Sequence, residues 1–262
     1  MEIEKNIRDF SMEKELKKLL GADFENTEIC VFETLDSTNA YAKQFALSAD
    51  RRDALIVAKQ QTAGRGRMGR SFYSPSETGI YFSILLRSQS LPQSAVSLTT
   101  VAAVAVMRAI RMLTGKQTLI KWVNDLYLDG KKVCGILAES VGMSSDDRSV
   151  IIGIGVNWYA CEFPKELAQI AGSVNADRTI SKQQLIAQTL RELGALLAGE
   201  DCINDYRAHS MVIGKKIFWL RESVRYDGIA TGIDPSGALL VRTDTGEEQI
   251  LFSGEISLRL ME

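Results

Sequence analysis

The sequence predicts an α+β protein with a small all-β appendage, and three observations carry that prediction. Runs of strand length alternate with stretches of helical spacing through most of the chain. From Gly214 onward the helical spacing stops, and short β-like runs follow, broken by the turn sequences Asp234-Pro235-Ser236-Gly237 and Asp244-Thr245-Gly246. A length of 262 residues, at roughly 100 to 200 residues per domain, has room for one large domain and a small second one.

Each element has its own warrant. Ile3, Ile7, Phe10, Leu16, Leu19 and Leu20 follow helical spacing and predict one or two helical turns within the first 20 residues. Glu28 to Phe32 reads as a strand. Asp36 or Ser37 is a cap for a helix through Asn39, Ala42 and Phe45. Strands follow at Ala54 to Lys59 and Gly79 to Leu86, separated by the polar, Gly- and Arg-rich stretch Gln60 to Ser76, which has no hydrophobic period. Ser94 to Leu113 is apolar almost all round, the pattern of a helix buried in a core. Strands are predicted at Leu119 to Val123, Leu126 to Leu128, Lys132 to Val141 and Val150 to Asn157. Leu185, Ile186, Leu190, Leu193 and Leu197 set a helix over Ser181 to Leu197, and Asn204 to His209 extends the helical region. The β-like runs of the tail are Ile217 to Leu220, Gly228 to Ile233, Ala238 to Arg242 and Glu248 to Phe252. Together they suggest a small barrel on an α+β body.

Composition excludes several classes of function. Hydrophobic residues at 45% and charged residues at 24% are those of a folded soluble chain, not of a disordered or low-complexity one. Thirty-one basic against 33 acidic residues leave a net charge of −2, so there is no global attraction for nucleic acid or anionic membranes. Cys30, Cys134, Cys161 and Cys202 form no C-x-x-C pair, which suits a reduced cytoplasmic protein. With His209 the single histidine, a zinc site or a histidine-dependent triad has little to be built from. The charged N-terminus has no apolar signal region. The longest apolar stretch, Ala95 to Met107, is interrupted by Ser97, Thr99 and Thr100 and is short for a membrane span. The residues before the first strand are too few for a helix-turn-helix, so DNA binding is not expected.

Three segments carry chemistry. Gly64-Arg65-Gly66-Arg67-Met68-Gly69-Arg70 combines backbone that approaches a ligand closely with planar donors for phosphate or carboxylate. An ordinary Arg/Gly surface loop has the same composition. The segment is neither a P-loop nor a dinucleotide fingerprint, because no Gly-Lys-Ser/Thr ends it and it does not open the helix of a βαβ unit. Lys121-Trp122-Val123-Asn124-Asp125 leads through Leu126 to an Asp129-Gly130 turn and on to Lys132 and Gly135. If Lys121 and Lys132 lie on adjacent strands, two ammonium groups and the Asp125 carboxylate frame a metal-bound triphosphate. Taken alone, the hairpin reads more simply as an amphipathic one with solvated lysines. Gly153-Ile154-Gly155-Val156-Asn157 ends a strand with an amide that either reads a base edge or satisfies backbone.

The order and spacing of Ser37-Thr38-Asn39, Gln61 to Arg70, Lys121 to Leu137, Gly153 to Asn157 and the closing Gly254-Glu255-Ile256-Ser257-Leu258 resemble the biotin protein ligase family over nearly the whole chain. The start of the chain resembles the monofunctional type without an N-terminal DNA-binding domain. The resemblance implies a mixed β-sheet flanked by helices, like the catalytic domain of class II aminoacyl-tRNA synthetases, over residues 1–212. It also implies a small SH3-like β-barrel over 213–262. The implied activity is formation of biotinyl-5′-AMP from biotin and ATP with Mg²⁺, then transfer of biotin to one lysine of a biotin carboxyl carrier protein or domain of acetyl-CoA or pyruvate carboxylase. A cytoplasmic enzyme follows, with no DNA and no membrane partner, and dimers within the family leave a homodimer open.

By the same resemblance Lys121 is the adenylation lysine, and Lys132 contacts the carboxylate end of biotin and the acyl phosphate. Arg67 retains the intermediate. Ser37, Thr38, Asn39, Gln61, Arg65, Arg67, Lys132 and Gly135 bind biotin. Arg67, Arg70, Phe72, Asn124 and Asn157 bind the nucleotide, and Asp125 takes Mg²⁺. Val123 stands where the family commonly has proline, which should loosen the bend before Asn124, and Phe72 stands where a tryptophan can stack on adenine. Lipoate ligases and octanoyl transferases, which share the fold, and a non-catalytic biotin sensor are the alternatives.

Overall fold

A computed structural model describes residues 7–87, 94–142, 149–221, 224–254 and 256–258. Ile3 of the expected first helix and Glu255 of the closing motif lie outside the described residues.

The body is built on seven strands: β1 (Glu28–Leu35), β2 (Ala54–Gln61), β3 (Gly79–Leu86), β4 (Leu119–Lys121), β5 (Asp125–Leu128), β6 (Lys131–Val141) and β7 (Ser149–Asn157). Their order across the sheet is β1-β2-β3-β7-β6-β5-β4. Only β1 and β2 run parallel, because the helix α2 (Thr38–Ala46) carries the chain back between them. Every other neighbouring pair is antiparallel, so the sheet is mixed, as the family resemblance implies. The Asp129-Gly130 turn forms as expected, with both residues at positive φ (51° and 76°), the backbone of a tight two-residue hairpin.

Alternation along the strands sorts the two faces. Leu55, Val57, Ile80, Phe82, Ile152, Ile154 and Ile136 pack into one large buried cluster with α1 (Phe10–Leu20), α3 (Ala95–Thr114) and α4 (Lys182–Leu197). Ile56, Ala58, Leu85 and Ile151 point to the other face, where α2 covers them with Ala42 and Ala46. Burial of these aliphatic side chains, at roughly 1.5–3 kcal/mol each, is the main term holding the layers together. α3 is the helix read as buried almost all round. It is the one described helix long and apolar enough to cross a membrane, and 67% of its apolar window is buried inside the protein.

The first helix is longer than one or two turns. It runs 11 residues from an Asp9 cap that accepts from the Met12 N–H and buries Met12, Leu16 and Leu20 at i, i+4, i+8. Its remaining positions, Glu13, Lys14, Lys17 and Lys18 among them, dilute the apolar signal from which the shorter element was read.

After α5 (Ile203–Ala208), strands β8 (Lys216–Arg221), β9 (Val224–Ile233), β10 (Leu239–Thr243), β11 (Glu248–Leu251) and β12 (Ile256–Leu258) form a five-stranded antiparallel sheet ordered β11-β10-β9-β8-β12. This is the small C-terminal β domain expected from the change of texture. Its inner residues Ile217, Trp219, Ala230, Ile233, Leu239, Val241 and Ile256 belong to the same buried cluster as Ile120, Trp122 and Val123 of the body. Polar pins reinforce the junction. The Trp122 indole donates to the Gly237 carbonyl at 3.0 Å, the Ser97 hydroxyl to the Ser236 carbonyl at 2.8 Å, and the Arg207 guanidinium to the Ile233 carbonyl at 2.7 Å.

Candidate active site

Beyond α2, which packs against β2, β3 and β7, the same face is left open and forms a cleft of about 930 Å³ including its mouth. Strand register builds the floor. Lys121, Asp125, Gly135 and Gly155 stand opposite one another across β4, β5, β6 and β7, and the next row is Leu137, Gly153 and Ser83. The glycines let side chains lie directly on the sheet. A Cβ at Gly153 would come within 2.0 Å of the Asn39 Oδ1, and one at Gly155 within 2.6 Å of the Phe72 ring.

One end of the cleft is polar without net charge. Ser37 caps α2 and accepts from the Ala40 N–H, which places Thr38 and Asn39 at the first turn, over the sheet. Gln61 Oε1 accepts from the Thr38 N–H at 2.9 Å and from its hydroxyl at 3.2 Å, and the Gln61 amide donates to Ser74 Oγ at 3.0 Å. Ser83 Oγ lies 2.7 Å from Thr38 Oγ1 and 2.6 Å from Asn39 Oδ1. Ser37, Thr38 and Asn39 are buried, so these partners hold fixed donors and acceptors where none can stay unpaired without cost.

The other end is cationic. The segment after Gly64 doubles back on itself: the Phe72 N–H donates to the Gly64 carbonyl at 2.9 Å and the Gly66 N–H to the Arg70 carbonyl at 2.7 Å. Met68 and Gly69 take left-handed backbone (φ 55° and 76°) at its tip. This turns Arg65, Arg67 and Arg70 to the cleft, and the Arg67 guanidinium donates to Asn124 Oδ1 at 3.3 Å. Asn124 is itself held by its amide, which donates to the Ile136 carbonyl at 3.0 Å. Lys132 Nζ lies 2.7 Å from Asp125 Oδ1, and Lys121 Nζ lies 5.9 Å from the Tyr127 ring centre. A ligand with an uncharged polar head and an anionic tail matches this polarity, and a triphosphate matches the cationic end.

Thirteen of the 14 predicted site residues line this one cleft: Ser37, Thr38, Asn39, Gln61, Arg65, Arg67, Arg70, Phe72, Lys121, Asn124, Asp125, Lys132 and Gly135. Asn157 is the remaining one. It is buried, its amide donates to the Gly172 carbonyl at 2.8 Å, and it is not among the cleft residues. Its amide nitrogen thus serves the backbone, one of the two roles read for this residue. A correction concerns the lysines. Lys121 and Lys132 are not on adjacent strands, since β5 lies between β4 and β6 and carries Asp125 between them. They reach the cleft from either side of that carboxylate. The bend around Val123, expected to be loose, is held from outside by the buried Tyr206, whose hydroxyl donates to the Val123 carbonyl at 3.0 Å.

Among the described residues no three His, Cys, Asp or Glu side chains gather as a metal cage. Asp125 is the one carboxylate among the described cleft residues. That donor set suits Mg²⁺ brought in on phosphates, since this ion is commonly held by one or two carboxylates plus substrate oxygens. Sequence reasoning missed Ser83 and Ser74, which hold the polar end, Tyr206, which holds the turn, and Ile256 of the C-terminal sheet, which lines the cleft beside Gly254. Ser83 is legible only as the polar break in an apolar strand. Tyr206 sits in the charged string Asp205-Tyr206-Arg207, which hides its burial.

Comparison with known proteins agrees with this geometry. Residues 31–157 match the biotin/lipoate A/B protein ligase family and residues 221–259 the biotin protein ligase C-terminal domain. The chain is 35% identical over 263 aligned positions to a bifunctional ligase/repressor of Bacillus subtilis, covering 94% of this chain and 78% of that one. It is 33% identical to a biotin–[acetyl-CoA-carboxylase] ligase of Paracoccus denitrificans, covering 82% of this chain and 94% of the relative. A biotin protein ligase of Aquifex aeolicus, solved in complex with biotin and ATP, superposes with a TM-score of 0.75 at 28% identity, over 88% of this chain and 98% of that one. Fold and cleft thus define a protein ligase of the biotin/lipoate class, and the chain belongs to the biotin protein ligase family. It is an enzyme, a biotin ligase.

Proposed function

We propose that this chain forms biotinyl-5′-AMP from biotin and ATP and then acylates one lysine of a biotin carboxyl carrier domain, of acetyl-CoA or pyruvate carboxylase, in the cytoplasm. The observation that carries the reading is the polarity of the cleft: Ser37, Thr38, Asn39 and Gln61 at one end, and Arg65, Arg67, Arg70, Lys121 and Lys132 at the other. The names of the Paracoccus and Aquifex relatives support the substrates, and four free cysteines suit a reducing compartment.

A free carboxylate is a poor acyl donor because its leaving group would be oxide. In the first step its oxygen bonds to the α-phosphorus of ATP and the bond to pyrophosphate breaks. Negative charge grows on the α-phosphate and on the leaving pyrophosphate, so the chain's task is to place the two ends and meet that charge. Thr38, Asn39 and Gln61 hold the ureido ring. Lys132 meets the carboxylate end, Lys121 the α-phosphate, and Arg67, steadied by Asn124, lies over both. Asp125 would hold Mg²⁺ together with the phosphates, and the ion would supply charge neutralisation there. In the second step the carrier's lysine nitrogen bonds to the acyl carbon, AMP departs, and the amine proton passes to solvent. Phe72, lying on Gly155, offers a ring face to the adenine.

Incubation with labelled biotin, ATP, Mg²⁺ and a purified carrier domain tests the reading. Label is expected on one carrier lysine, and lipoate is expected not to compete. No transfer, or transfer of lipoate in preference, would overturn it.

A further inference from the structure

We propose that Glu139, which is not among the cleft residues, is a positioning residue that fixes Asn39 as a hydrogen-bond acceptor and so selects a ligand presenting an N–H at that point. The proposal rests on the biotin reading and deepens it. Glu139 lies on β6, two residues beyond Leu137 and on the same face. Its two carboxylate oxygens divide their work. Lys43 Nζ, one turn along α2 from Asn39, lies 2.6 Å from Oε1, and the Asn39 amide nitrogen donates to Oε2 at 2.8 Å. The same nitrogen lies 3.3 Å from the Leu137 carbonyl oxygen. Both N–H groups of the Asn39 amide therefore face acceptors.

A flipped amide would set its oxygen against a carboxylate and a carbonyl, so the network leaves one orientation. In that orientation Oδ1 lies on Gly153, 2.6 Å from the Ser83 hydroxyl. A carbonyl oxygen has two lone pairs, and Ser83 occupies at most one. A ureido ring offers N–H donors to such an oxygen, whereas a dithiolane or alkyl chain offers none. A ligand without the N–H would leave the second lone pair of this buried oxygen unused, which favours the ureido ring over such a ligand.

The test is a double-mutant cycle on the full chain, using biotin-dependent pyrophosphate release at saturating ATP. Glu139→Leu is expected to raise the KM for biotin about tenfold and leave the KM for ATP unchanged. In the Asn39→Ala background Glu139→Leu should add nothing, because the group it orients is gone. Glu139→Gln, which keeps one acceptor oxygen, should restore most of the loss, and Glu139→Ala takes the place of the leucine variant in the cycle if that one does not fold. Lys43→Met, which leaves the Glu139–Asn39 bond intact, should change the biotin KM by no more than about twofold. Additive losses in the cycle, or equal rises in both KM values, would overturn the proposal. If the unmutated protein releases no pyrophosphate with biotin and ATP, the biotin reading itself fails and takes this proposal with it. An active parent with an additive cycle defeats only the role of Glu139.

Discussion

Lys121 and Lys132 reach the cleft from opposite sides of Asp125, and the tasks proposed for them separate experimentally. A lysine that meets charge developing at the α-phosphate acts on the transition state, whereas on the proposed reading biotin is held mainly at the Thr38, Asn39 and Gln61 end. Lys121→Ala is therefore expected to slow adenylate formation by about 100-fold or more, the scale seen when one preorganised charge-stabilising donor is removed. Biotin affinity by calorimetry should change far less. Equal losses in both would contradict the assignment. The glycine floor gives a second test at this scale. Gly155→Ala would bring a Cβ within 2.6 Å of the Phe72 ring, and overpacking of this kind costs about 1–3 kcal/mol. The ring should lift from the sheet, raising the KM for ATP and leaving biotin affinity unchanged. A loss of stability with an unaltered ATP KM would show that Phe72 is not part of the nucleotide face.

At the scale of elements, the loop between β2 and β3 is where folding and function meet. Its tip is pinned by backbone bonds and by Arg67 to Asn124, while Met68, the only apolar side chain from Gly64 to Arg70, is 75% exposed. With no buried apolar anchor, the loop's order depends on polar contacts that ligands would strengthen. Trypsin is expected to cut after Arg65, Arg67 or Arg70 in the free protein, and biotin with ATP to protect these bonds. Unchanged cleavage would mean that the loop is not a ligand cover. The strands and helices flanking the loop were legible from sequence to within a residue or two. β3 runs Gly79–Leu86 as read, and α3 runs Ala95–Thr114 against a reading of Ser94 to Leu113. Apolar period, caps and the Asp129-Gly130 turn are local signals, and they suffice for such elements. Register is not local. Nothing in the segment from Lys121 to Lys132 shows that β5 pairs with both β4 and β6, so the segment reads as two adjacent strands where a third, carrying Asp125, lies between the lysines. Nor does a pair of glycines in β7 announce that Asn39 and Phe72 lie on them. Nor does the strand end at Asn157 announce that its amide nitrogen donates to the Gly172 carbonyl.

At the scale of the molecule, the C-terminal sheet shares the body's core and brings Gly254 and Ile256 to the cleft, so fold and site depend on the same packing. Lys182, at the first turn of α4, reports on that stability. Burial first, and the neighbouring charge of Arg178 second, push its ammonium down to about 8, while its Nζ donates to the Ser76 carbonyl. The unfolded chain carries an ordinary lysine there, so between about pH 8 and the usual lysine value the unfolded state binds more protons than the folded one. This group's contribution therefore rises with pH across that window and is unfavourable below it. Lys182→Met should raise the melting temperature at pH 7 and flatten the rise in stability between pH 8 and pH 10 relative to the parent. Parallel curves for the two proteins would contradict the shift.

The central claim is that one cleft, polar at one end and cationic at the other, turns a biotin carboxylate into an acyl adenylate. The most direct measurement is pyrophosphate release on mixing the protein with ATP, Mg²⁺ and biotin in the absence of any carrier. The account predicts a burst of about one pyrophosphate per site, strictly dependent on biotin, with biotinyl-5′-AMP recovered from the protein. Release that does not depend on biotin, or no release while biotin and ATP both bind, would contradict it.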